Sequence, residues 1–223
     1  MRLLCLHGWG TNVKILQAQL NPLMRELQRD NTAVFHFIEG DIEATPGPGI
    51  EGFFDGPFYS YYKFPRTFDD TDADESMLEA YELLYEVVEQ DGPFDGVLGF
   101  SHGGTLASGF LVHHAKTRPY DPPPFRCAVF LNSLPPFRME SLDKTPVVDE
   151  GLEGYINIPT LSIAGRKDFA YKFSLALHGL CDPRVSHLVV HDKGHDVPRD
   201  PKNVSAMAQA IRALLTEALL YSW

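Results

Sequence analysis

The sequence predicts an α/β protein: one domain on a mostly parallel central sheet of about six strands, with helices on both faces and a lid-like insertion. Two observations carry this. Short, continuously apolar stretches recur along the 223 residues, as expected of strands whose two faces are both covered. Segments with apolar residues at 3–4 spacing separate several of them, so strand and helix alternate. There is no internal repeat, and 223 residues is an ordinary size for a single domain of this class.

The first strand is expected at 3–6 (LLCL). A helix over 13–29 follows, with Ile15, Leu16, Leu20, Leu23, Met24 and Leu27 on its apolar stripe. Pro22 lies inside that pattern, lacks an amide donor, and is expected to kink or split the helix. The second strand is expected at 33–38 (AVFHFI). The helix at 75–90 opens on acidic residues and stops at DGP. Strands at 96–100 (GVLGF), 127–131 (CAVFL), 160–165 (TLSIAG) and 187–191 (HLVVH) complete the sheet, with helices at 102–116 and 203–220.

Two segments escape the alternation, 41–72 and 133–157, and both are expected to be lid or pocket insertions, because structureless loops this long are uncommon in compact domains. The first carries Phe53, Phe54, Phe58, Tyr59, Tyr61, Tyr62 and Phe64. These rings either cover one end of the core or line a pocket, and the two readings are compatible. Phe58, Tyr59, Tyr61 and Tyr62 are the candidate substrate contacts.

Composition excludes several classes. The net charge of −11 argues against a nucleic-acid partner, since no basic face is available to displace counterions. Three cysteines without a C-x-x-C argue against a disulfide framework or a cysteine–histidine metal site. Cys5 and Cys127 lie inside apolar runs and read as small hydrophobes. No apolar run approaches the ~18 residues of a membrane span. A reducing, cytoplasmic setting is expected, with no metal or organic cofactor.

The chemistry centres on GFSHGG at 99–104. G-x-S-x-G between a strand and a helix places a serine on a turn so sharp that small residues must flank it. Here GVLGF precedes Ser101 and a helical segment follows it. A serine hydroxyl needs a neighbouring base, an orienting acid for that base, and amide donors for the oxyanion. The His102 amide would open the helix and is the first candidate donor. The Trp9 amide, in HGWG after the first strand, is the second. The acid and base should follow in the order Ser, Asp, His. Asp168 lies in AGRKDF beyond the fifth strand, and His195 lies in HDKGHD beyond the sixth. Both loops are at carboxyl ends of parallel strands, where ligands bind in open sheets. Asp192 and Asp196 compete as the acid, but a triad acid normally comes from a loop other than that of the base. Of the other eight histidines, His7 belongs to the HGWG turn, and the rest fall in or at the ends of strands, in helical patterns or beside the serine.

LCLHGWGTN, GPFDGVLGFSHGG, SIAGRKD and KGHDVP together resemble the FSH-type serine hydrolases, a branch of the α/β-hydrolase fold, over essentially the whole chain. The resemblance implies a triad of Ser101, Asp168 and His195. It also implies a thioesterase or carboxylesterase that needs no cofactor. The family includes fungal thioesterases that release polyketides from the acyl carrier protein of their synthase, as well as small esterases, so the resemblance implies an acyl substrate and offers a carrier protein as a candidate partner. His102 departs from the glutamine common in relatives, and GWG is a variable position in them. Carrier proteins are often acidic, so an acidic hydrolase would need a local basic patch; Lys63, Arg66, Arg138 and Lys144 are candidates. The alternatives are a small-molecule carboxylesterase without a carrier partner and a catalytically inactive binding protein of the same fold.

Overall fold

Successive side chains of a strand point to opposite faces, so a continuously apolar strand must be covered twice. The computed structural model, which describes residues 1–141 and 144–221, shows this double covering. Strands β1 (Arg2–Leu6), β2 (Val34–Ile38), β3 (Gly96–Phe100), β4 (Cys127–Leu131), β5 (Thr160–Gly165) and β6 (Ser186–His191) form one six-stranded sheet in the order β6-β5-β4-β3-β1-β2. Every neighbouring pair is parallel. Leu4, Leu6, Val97, Ala128 and Phe130 pack into the core on one face, with residues of helices α2 (Thr71–Asp91), α3 (His102–Thr117) and α4 (Tyr171–Leu180). Leu3, Cys5, Leu98, Val129 and Leu131 pack into the core on the other, with helices α1 (Val13–Gln28) and α5 (Pro201–Leu220).

Local signals set most helix boundaries. The Asn12, Asp70 and Asp200 side chains accept from the third residue onward, Ile15, Ala73 and Asn203, and so cap α1, α2 and α5. Because Asp70 caps α2, that helix begins at Thr71, one turn before the expected start at 75. α1 is not split: it runs through Pro22 as one helix, held by the buried Ile15, Leu16, Leu20, Leu23 and Leu27. The elements set out from the sequence omit α4, which has no side-chain cap and only ten residues. Cys5, Cys127 and Cys181 are buried free thiols, and burial pushes Cys127 up to about 12 and Cys181 to about 11.

The sheet order reverses at β1. The chain runs from β1 to the edge strand β2, then returns to place β3 on the other side of β1. The loops leaving β1 and β3 therefore diverge and open a crevice at the sheet's carboxyl edge. Both insertions contribute small antiparallel ribbons, Ile42–Glu43 with Tyr59–Ser60 and Phe137–Arg138 with Val147–Val148.

Candidate active site

Ser101 follows β3 directly and has φ 53° and ψ −117°, a backbone conformation unusual for a residue with a side chain. Close packing holds it there. A Cβ on Gly103 would lie 2.3 Å from the Leu6 carbonyl oxygen, and one on Gly99 would lie 2.3 Å from the Gly104 nitrogen. The spacing G-x-S-x-G thus reflects two places where backbone meets backbone. Ser101 occupies the N-cap of α3 but its hydroxyl makes no capping bond.

Instead, Ser101 Oγ lies 2.9 Å from His195 Nε2. His195 Nδ1 lies 2.8 Å from Asp168 Oδ2. If Nδ1–H donates to the carboxylate, Nε2 is left to accept from the serine. The Asp168 side chain is fully buried, and its other oxygen accepts from the Ala170 amide at 2.7 Å. Phe100 and Phe169 flank the imidazole at ring-centroid distances of 5.3 and 4.6 Å. The rival acid Asp192 accepts from Asn203 instead.

Above the serine lies a cavity of about 210 Å³, whose wall includes Trp9, Ile50, Tyr62, Phe64, Phe137 and Phe169. Trp9 and His102 both border it, and among the described residues neither backbone N–H donates to another protein atom. Free amides beside a serine are what an oxyanion site needs.

Of the four aromatic residues expected to contact substrate, the cavity wall includes Tyr62 alone. Tyr59 sits in the small ribbon, where its N–H donates to the Thr11 carbonyl. The Tyr61 hydroxyl accepts from the His7 N–H and donates to the Ile38 carbonyl, both at 3.0 Å, so it ties the insertion to the ends of β1 and β2. Phe58 lies outside the wall, where its carbonyl accepts from the Ala44 amide. Phe64, Ile50, Phe137 and Phe169 take their place. Phe169 is 70% exposed and adjoins Asp168 in the sequence, a proximity that was readable; the other three depend on how the insertions fold.

His102 is buried and stacks on Tyr62 at 4.0 Å. The Ser60 hydroxyl donates its one proton to the Tyr62 carbonyl at 2.6 Å, so the 3.0 Å contact with His102 requires Nε2–H of the imidazole to donate. Burial, with some help from His7, pushes the His102 imidazole down to about 3 and keeps it neutral.

The model of the family described as serine hydrolase (FSH1) matches residues 1–207. The chain belongs to the FSH1 serine hydrolase family. It is 42% identical to hydrolase phiM of Talaromyces stipitatus over 209 residues, covering 91% of this chain and 82% of that one. It is 36% identical to esterase FPY3 of Fusarium mangiferae over 227 residues, covering 99% of each. A solved carboxylesterase from Mesorhizobium loti superposes with a TM-score of 0.59 at 22% identity, covering 94% of this chain and 87% of that one. That likeness concerns the fold, which is the α/β-hydrolase fold. This FSH1 chain is a hydrolase of the serine type.

Proposed function

We propose that this FSH1 hydrolase releases an acyl group, of polyketide type, from a thioester on an acyl carrier protein through an acyl-serine intermediate. The observation that carries the reading is the unbroken hydrogen-bond chain Asp168–His195–Ser101 beneath an apolar cavity. His195 takes the hydroxyl proton as Ser101 Oγ bonds to the acyl carbon, and the Trp9 and His102 amides hold the oxyanion. Collapse expels the thiol or alcohol, which leaves with the proton from His195. Water then gives its proton to His195, attacks the acyl-enzyme and releases the acid with Ser101 restored.

A second reading, a carboxylesterase without a carrier partner, is favoured by charge. All four cations considered for a basic patch are paired with carboxylates. Lys63 meets Asp72, Arg66 and Arg138 both meet Asp74 and Asp149, and Lys144 meets Glu140. Relatives of this chain include proteins named esterase. Rates on one acid presented as a carrier-protein thioester and as a simple ester separate the two. The carrier reading expects the thioester to be preferred; equal efficiency assigns the second.

A further inference from the structure

Asn132 immediately follows β4 and does not border the cavity, yet three strand ends meet at it. It is 1% exposed and has φ 47°, a left-handed conformation that asparagine tolerates better than most residues. Its backbone N–H donates to the Ile163 carbonyl at 2.8 Å, which seats it against β5. Its Oδ1 accepts from the Gly165 amide at 2.8 Å, where the loop to Asp168 begins; the Asp168 N–H in turn donates to the Gly165 carbonyl at 3.1 Å. Its Nδ2 donates to the carbonyl of Asp196, the residue after His195, at 2.9 Å. One residue earlier, the Leu131 carbonyl accepts from the Ser101 N–H at 2.8 Å. Residues 131 and 132 thus hold the nucleophile turn, the acid loop and the base loop, and a single side-chain amide spans the last two.

We propose that Asn132 is a positioning residue that sets His195 against Asp168 and Ser101. The assignment rests on the triad reading above. An amide suits the task because one end must accept from an N–H and the other must donate to a carbonyl. Positive φ aims that side chain back between the loops, and burial makes both bonds hard to replace with water. Because a misplacement of about 1 Å can cost about 10²-fold in rate, a residue that never touches substrate can still govern turnover.

The test uses Asn132→Asp and Asn132→Gly. Aspartate keeps the shape and the acceptor for Gly165 but turns the donor facing the Asp196 carbonyl into an acceptor. Glycine keeps the positive φ and loses both bonds. Both are expected to lower kcat by about 10- to 100-fold with little change in KM, and to slow fluorophosphonate labelling of Ser101 in parallel. The downfield imidazole proton of the His195–Asp168 hydrogen bond should weaken in the same variants. Leu23→Ala, which opens the core under α1 away from the loops, should lower stability and leave all three readouts in place. If Asn132→Gly fails to fold, Asn132→Asp reads the same quantities. A folded variant with wild-type kcat, labelling rate and imidazole proton overturns the proposal. Wild-type protein that is not labelled at all instead overturns the triad reading beneath it.

Discussion

Ser101 stands where a helix-capping serine would stand, yet its hydroxyl caps nothing and faces His195. That choice separates a turn residue from a nucleophile. Ser101→Ala or His195→Ala is expected to cost about 10⁴- to 10⁶-fold in kcat, and Asp168→Ala less, measured on an ester that the wild type turns over. The sequence singles out these three because each lies in a loop at a strand's carboxyl end in the order Ser, Asp, His, and because Asp168, unlike Asp192 and Asp196, comes from a loop other than that of the base. Most of the wall residues were not legible, Tyr62 and the loop neighbour Phe169 excepted. Tyr61 looks like a pocket aromatic in the sequence, but its hydroxyl is used by two backbone groups. His102 carries a pH signature. Its folded value of about 3 lies below the ordinary ~6.5 of an unfolded histidine, so protonation favours unfolding. Its contribution to stability is fully present above ~6.5 and is lost as pH falls toward 3. Denaturation midpoints between those limits should decline more steeply for the wild type than for His102→Gln, by up to about 1.4 kcal/mol per pH unit.

At the scale of elements, the glycines of the serine turn are a packing requirement. Gly103→Ala sets a methyl against the Leu6 carbonyl, backbone that cannot swing aside, and is expected to cost about 1–3 kcal/mol or more by chemical denaturation. The two insertions meet at a four-charge cluster. Arg66, with only 6% of its side chain exposed, bonds Asp74 on α2 and Asp149 beyond the second ribbon, and Arg138 reaches both carboxylates. Arg66→Met should lower stability by about 1–3 kcal/mol, less than a fully buried pair would lose because both carboxylates are partly solvated. Amide exchange should rise in the ribbon Phe137–Arg138 with Val147–Val148 rather than in the sheet. The inner strands β1, β3, β4 and β5 were legible because burial on both faces leaves an uninterrupted apolar run, whereas the edge strands β2 and β6 are only partly covered. α4 was harder to see because it is short and uncapped, and α1 survives Pro22 because its buried stripe outweighs one missing amide bond.

Across the whole molecule, the reversal of strand order at β1 brings the Trp9 turn and the Ser101 turn to one crevice, and the insertions roof it with apolar side chains. Because the cavity is bounded and largely apolar, kcat/KM across straight-chain p-nitrophenyl esters is expected to rise with acyl length to a medium chain and fall for longer ones. Among the described residues no helix is long and apolar enough to cross a membrane. The most direct test of the triad reading is reaction with a fluorophosphonate probe, followed by mass mapping of the adduct. The account predicts a single adduct on Ser101 in the wild type and none in Ser101→Ala. Folded wild-type protein that stays unlabelled, or an adduct retained in Ser101→Ala, would contradict it.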